Sequence, residues 1–338
     1  MGPRAVIFGC SGPKLSRAEA VFFRDVDPWA FILFARNIET PEQVRRLCAD
    51  LRSCVGRDAL IFIDQEGGRV QRLRPPHFRK APSAQVFGAL YGSDKAAGKR
   101  AIWLNHRLIA AELRGVGVTA NCAPVLDIPV SGADPIISDR AFSIRPEAVI
   151  DMAQAAMAGL MSGGVAPVIK HIPGHGRATV DSHKALPVIT EDAAVLAVTD
   201  YKPFIALNDA PMAMTAHVIV NSVDPKTPVT LSAHAMKTLV RGTLGYQGLV
   251  MSDDLDMKAL SGELETLARG ALSAGCDIAL HCNGKMRSMA QVAKGAGMLS
   301  GMALERAIIA DNIACAPDDF DTQAGLAELE QLLAGSIA

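Results

Sequence analysis

Ala59-Leu60-Ile61-Phe62-Ile63 runs directly into Asp64-Gln65-Glu66-Gly67-Gly68-Arg69. An unbroken apolar run is followed at once by ionisable residues. A half-exposed strand alternates polar with apolar residues, whereas a strand covered on both faces does not. The unbroken run therefore marks a parallel sheet packed under helices. The same form recurs at residues 5–8, 30–34, 118–123, 166–169, 211–216, 249–251 and 278–280, which makes eight runs.

Helical segments lie between the runs. Ser16-Arg17-Ala18-Glu19 has the spacing of a capping box, and so does Thr40-Pro41-Glu42-Gln43, with proline at the first helical position. Leu104, Leu108 and Ala111 share one helical face, as do Val149, Met152, Ala156 and Leu160. Glycines at 115, 117, 163, 164 and 245 stop helices ahead of strands. Eight β-then-α units predict a closed (β/α)8 (TIM) barrel, with residues 1–338 as a single domain. The segment from Pro317 reads as a loop and a short C-terminal helical tail. A doubly wound open sheet is the runner-up, but Gly9-Cys10-Ser11-Gly12 is a poor phosphate-binding loop.

Composition narrows the function. The chain carries a net charge of -1 with 20% charged residues, so neither nucleic acid nor an anionic membrane surface is expected as a partner. No apolar run approaches the roughly 18 residues of a membrane span, and no secretory signal is legible. The expected location is the cytoplasm. The seven scattered cysteines contain no Cys-x-x-Cys pair and read as reduced, mostly buried thiols.

In a barrel, the chemistry sits at the C-terminal ends of the strands. There the sequence places Asp64, Asp127, Lys170-His171, His217, Ser252-Asp253-Asp254, and then His281 and Asn283. His171 and His175 stand at a spacing that suits a metal on a helix, but Pro173 and Gly174 break any helix between them. A loop over a pocket, continuing to Asp181-Ser182-His183, is the better reading.

Four segments carry a specific likeness. They are Asp64 to Arg72 (Asp-Gln-Glu-Gly-Gly-Arg-Val-Gln-Arg), Lys170-His171-Ile172-Pro173-Gly174-His175-Gly176, Asp181-Ser182-His183, and Ser252-Asp253-Asp254-Leu255-Asp256-Met257. Together and in this order they resemble glycoside hydrolase family 3. More narrowly, they resemble its single-domain bacterial β-N-acetylglucosaminidases (β-hexosaminidases) of peptidoglycan recycling.

The resemblance implies roles for particular residues. Asp253 is the expected nucleophile of a retaining glycosidase, with Asp254 as the competing candidate. Asp254 also fits a helix N-cap. His183, backed by Asp181, is the expected acid/base. Asp64, Arg72, Arg140, Lys170 and His171 are expected to hold the sugar. Arg140 follows Ser138 where the family more often has glycine, and Ile172 replaces its usual phenylalanine. Glu66 and Arg69 read as a structural pair beneath the site, and His217 as either a pocket residue or a core histidine.

The implied reaction needs no metal and no organic cofactor. The implied partner is a small carbohydrate, a muropeptide of N-acetylglucosamine linked to 1,6-anhydro-N-acetylmuramic acid, and no obligate protein partner is evident. Three other readings compete. A metal-dependent amidohydrolase would want a His-x-His pair after the first strand, where Gly9-Cys10-Ser11 stands instead. A Schiff-base aldolase would use Lys170. A binding-only barrel would hold sugar without turning it over.

Overall fold

The computed structural model describes residues 2–334. Its eight barrel strands are β1 (Arg4–Gly9), β2 (Pro28–Leu33), β3 (Ile61–Ile63), β4 (Ala120–Asn121), β5 (Ala166–Ile172), β6 (Met212–Thr215), β7 (Leu249–Asp254) and β8 (Ile278–His281). Each pairs in parallel with its neighbours in chain order, and β8 closes on β1 with Ile7 beside Leu280. Every apolar run of the sequence contributes one strand.

The unbroken runs have a simple cause. Within β1, Ile7 points into the barrel with Phe62, Val168, Met212, Leu249 and Ile278. Val6 and Phe8 point outward, packing with Phe31, Ile61 and Val250 under the helices. Successive side chains on a strand face opposite ways, and here both faces are dry, so no position calls for a polar residue. The helix Gly301–Ile313 closes the lower end of the barrel with Ala307 and Ala310.

The turn chemistry follows the sequence closely. Ser16 caps the helix Arg17–Val26 with a full capping box. Thr40 caps Pro41–Val55, but the Gln43 side chain accepts from the Glu39 N–H rather than closing back on Thr40. The stops before β4, β5 and β7 place Gly117, Gly164 and Gly245 at φ 86, 73 and 66°. Near the C-terminus, Phe320 packs 5.9 Å from the Trp103 ring, ahead of the helix Thr322–Ala334. The seven cysteines are free thiols; Cys122 and Cys276 are buried, Cys282 is half-buried and Cys315 is exposed. Among the described residues no helix is long and apolar enough to cross a membrane.

Candidate active site

A cleft opens at the C-terminal ends of the strands, with Asp64, Arg72, Arg140, Lys170, His171, His183 and Asp253 on its walls. The structure thus brings together seven of the eight residues singled out above, and the eighth, Asp181, lies directly behind His183.

The first wall is built by the segment after β3. Gln65–Gly67 folds back on Val70–Gln71 as a small antiparallel hairpin. Gly67 has φ 99°, and a Cβ there would lie 2.2 Å from the Pro82 carbonyl oxygen, so only glycine fits. The Gln65 side chain accepts from the backbone N–H groups of Arg72 and Leu73 and donates to the Leu73 carbonyl. That clamp returns Arg72 to Asp64, where Nη2 meets Oδ2 at 2.9 Å.

An alternating row of charge results. Lys170 Nζ lies 2.9 Å from Asp64 Oδ1 and 2.7 Å from Glu66 Oε1. Arg140 grips Glu66 with both Nε and Nη2 at 2.8 Å. The order is Arg72, Asp64, Lys170, Glu66, Arg140, three cations holding two carboxylates. Burial alone pushes both carboxyls up, but the adjacent cations outweigh it: Lys170 and Arg72 hold Asp64 well below its usual range, and Arg140 and Lys170 hold Glu66 at about 2. Burial alone would pull Lys170 down, but Asp64 and Glu66 push it up. A Schiff-base lysine needs the opposite shift, so Lys170 is an ammonium donor and not an amine nucleophile.

The expected Glu66–Arg69 pair does not form. Arg69 instead meets Asp139 at 2.6 Å, next to Arg140, while Glu66 turns inward to Lys170 and Arg140. The hairpin explains the difference, because it sends Glu66 and Arg69 to different neighbours. Ser138 opens the turn that carries Arg140 and sits at φ 37°, in the left-handed region that favours glycine.

Glu66→Gln tests the row. It leaves Lys170 and Arg140 short of a charge in a buried site and is expected to destabilise the fold by about 2–4 kcal/mol at neutral pH. Glu66 titrates at about 2 in the fold against an ordinary 4.5. A depressed carboxyl contributes stability that is full above its unfolded pKa and is lost as pH falls through the folded one. The deficit of the variant is therefore expected to hold above pH 4.5 and to shrink between 4.5 and 2, read by denaturant unfolding across pH. A deficit independent of pH would show that charge is not its origin.

His171, at the end of β5, is oriented from behind. Its Nδ1 lies 2.6 Å from Asp127 Oδ2, and the other Asp127 oxygen accepts from the His175 N–H at 2.7 Å. Burial raises the Asp127 carboxyl, but His171 and its hydrogen bonds bring it to about 2. The ring is thereby fixed with Nε2 as the atom left for a ligand.

Across the cleft, His183 Nδ1 and its own backbone N–H both meet Asp181 Oδ1 at 2.9 Å. Asp181 is buried and the His183 side chain is 64% exposed. Burial raises Asp181, and the two bonds from His183 bring it below its usual range. An ionised Asp181 fixes the ring and leaves Nε2 free to carry a proton.

Asp253 stands near the end of β7. Its Oδ1 accepts from the Asp254 N–H at 2.8 Å, and it makes no ion pair among the described residues. Asp254 is tied up structurally. Its Oδ1 accepts from the N–H groups of Asp256 and Cys282 and faces His281 at 3.5 Å. It does not cap a helix, because the next helix, Leu264–Ala274, begins after Glu263. Asp254 instead ties the end of β7 to that of β8. His217 is a core residue: it is buried, with Nδ1 on Thr230 and Nε2 on the Asp254 carbonyl.

Sequence reasoning passed over the apolar lining. Phe34, just past β2, carries the Arg72 guanidinium 5.5 Å from its ring centroid, and Met214, Met257 and Leu280 floor the cleft. The run at 30–34 ends in Phe34, but an apolar residue at a strand end carries no mark of facing a ligand. Among the described residues no cluster of three or more His, Cys, Asp or Glu is placed to hold a metal ion.

An unpaired carboxylate, a loop histidine backed by aspartate, and a row of charged donors around Asp64 thus share one cleft, an arrangement compatible with a glycoside hydrolase. The chain belongs to glycosyl hydrolase family 3, whose N-terminal domain matches residues 15–309. It is 41% identical over 290 residues to a protein of Alkalilimnicola ehrlichii named β-hexosaminidase, covering 84% of this chain and 81% of the relative. A β-hexosaminidase of Bordetella avium is 38% identical over 285 residues, covering 83% and 81%. The crystal structure of native NagZ from Neisseria gonorrhoeae superposes with TM-score 0.86 at 29% identity, covering 100% of this chain and 99% of that one. The same Neisseria protein has been crystallised with N-trifluoroacetyl-D-glucosamine, and that structure gives TM-score 0.85 over 99% of this chain and 98% of that one.

Proposed function

We propose that this chain is an exo-acting, retaining β-N-acetylglucosaminidase. The enzyme is a β-N-acetylhexosaminidase in class, as are its curated relatives by name. The observation that carries the mechanism is His183, backed by Asp181, lining the same cleft as the unpaired Asp253.

The sugar binds with its non-reducing end against Asp64, Arg72, Arg140, Lys170 and His171. Asp64 accepts from hydroxyls, and the cations donate. His183 Nε2 gives its proton to the glycosidic oxygen as the Asp253 carboxylate bonds to the anomeric carbon and the C–O bond breaks. Water then attacks the glycosyl-enzyme, His183 takes its proton, and Asp253 leaves. Two displacements at one carbon retain the β configuration. The substrate is a cytoplasmic muropeptide fragment, N-acetylglucosamine on 1,6-anhydro-N-acetylmuramic acid, with or without its peptide. A cleft closed at Asp64 by paired charges suits removal of one terminal sugar, and the open His183 side leaves room for a bulky aglycone.

The test compares 4-nitrophenyl β-N-acetylglucosaminide with the β-glucoside, and then the muropeptide disaccharide. Nitrophenol release that depends on the acetamido group is expected, with release of N-acetylglucosamine from the disaccharide. Equal turnover of the two aryl glycosides would sink the assignment of sugar, and an intact disaccharide would sink that of substrate.

A further inference from the structure

One anchor of the loop carrying the dyad, the one nearest His183, is a residue that the mechanism leaves idle. Residues 179–180 and 183–185 are exposed, while Asp181 and Ser182 between them are buried. Asp181 holds His183. Ser182, which with His175 also borders the cleft, makes two bonds outside the dyad, to the segments that follow β5 and β7. Its Oγ lies 3.1 Å from His175 Nε2. Its carbonyl accepts from the Ala259 N–H at 3.0 Å.

Both anchors belong to the catalytic framework. His175 follows β5 and is fixed by its backbone bond to Asp127, the residue that orients His171. Beside it, a Cβ on Gly176 would lie 2.0 Å from the Ile128 carbonyl oxygen, so the chain is pressed against the segment after β4. Ala259 is buried in the segment that leaves β7, the strand bearing Asp253.

We propose that His175 and Ser182 form a latch that sets the position of the Asp181–His183 dyad relative to Asp253. The proposal rests on the reading of that dyad as the proton-transfer group. Ser182 and His175 are positioning residues, acting through His183. Burial pulls the His175 imidazole down to about 4, so the ring stays neutral at working pH and the latch does not titrate there. Its Nδ1 is buried without a partner. An unpaired buried N–H is rarer than an unpaired acceptor, so Nδ1 is the bare nitrogen and Nε2–H donates to Ser182 Oγ. The His171 ring packs 5.9 Å away, and Ser182 is the one side-chain hydrogen-bond partner of the His175 ring among the described residues.

A latch of this kind has a signature that general destabilisation lacks. Proton donation matters in proportion to how poor the leaving group is. A dinitrophenolate departs without a proton, whereas a phenolate needs one. The experiment measures kcat/KM, which reports steps up to the first bond cleavage, on 2,4-dinitrophenyl, 4-nitrophenyl and phenyl β-N-acetylglucosaminides. The variants are Ser182→Ala, His175→Gln and the double variant, with His183→Ala as reference.

On the phenyl glycoside Ser182→Ala is expected to lose on the order of 10- to 100-fold, the scale of a misplaced catalytic group. The dinitrophenyl glycoside is expected to lose less than about twofold, because it needs little acid assistance. His175→Gln should show the same slope, and the double variant should be no worse than the worse single one, since both break one contact. An equal loss on all three glycosides, or none on the phenyl one, overturns the latch. If either single variant does not fold, the other decides alone. If His183→Ala itself shows no dependence on the leaving group, the dyad assignment falls first and the latch falls with it.

Discussion

Asp253→Ala is expected to lower kcat by roughly 10⁴-fold or more, the scale on which removal of a covalent nucleophile acts, with the fold intact. The fold should survive because Asp253 carries little structure. It makes no ion pair among the described residues, and its one side-chain hydrogen bond among them is the 2.8 Å bond from the neighbouring N–H. Asp254 gives the contrast. It holds the N–H groups of Asp256 and Cys282 and faces His281, so Asp254→Ala is a structural lesion first. Small nucleophiles separate the two carboxylates further. Azide added to Asp253→Ala enters the space the carboxylate vacated, on the α face, and should give the α-glycosyl azide. Azide rescue by Asp254→Ala in place of Asp253→Ala, or near-normal turnover by Asp253→Ala, would move the nucleophile elsewhere.

The barrel was legible because its strands obey a purely local rule. Each is dry on both faces, so each shows in the sequence as an unbroken apolar run, and the first ionisable residue beyond it marks the rim. Asp64, Lys170 and Asp253 were found that way. The pairings among rim residues were not legible. Glu66 and Arg69 are near neighbours in sequence, yet the hairpin with glycine at φ 99° turns one to Lys170 and Arg140 and the other to Asp139. The role of Asp254 was lost for the same reason, since its partners Cys282 and His281 come from the next strand. Local pattern reports burial and turns. It does not report which of two strand ends a carboxylate faces.

The loop histidine obeys a third logic. No strand carries His183, and exposure of 64% gives it no packing reason to be there. What distinguishes it is the bond from Nδ1 to a buried aspartate two residues back. That geometry leaves a single nitrogen, Nε2, which in the proposed mechanism exchanges a proton with the leaving oxygen and later with water. His183→Ala is therefore expected to cost on the order of 10²–10⁴-fold on the muropeptide disaccharide, whose alkoxide leaving group needs the proton most. In kcat/KM, which stops at the first bond cleavage, the cost should fall steeply on the dinitrophenyl glycoside. Glycosyl transfer to Asp253 then outruns hydrolysis, and the glycosyl-enzyme accumulates. Azide entering from the side that His183 vacated should meet that intermediate and give the β-glycosyl azide, the anomer opposite to the one from Asp253→Ala. The pair of azide products, read by the anomeric proton coupling, assigns one residue to each face of the sugar. An α azide from His183→Ala would exclude a glycosyl-enzyme on Asp253 and, with it, the double displacement.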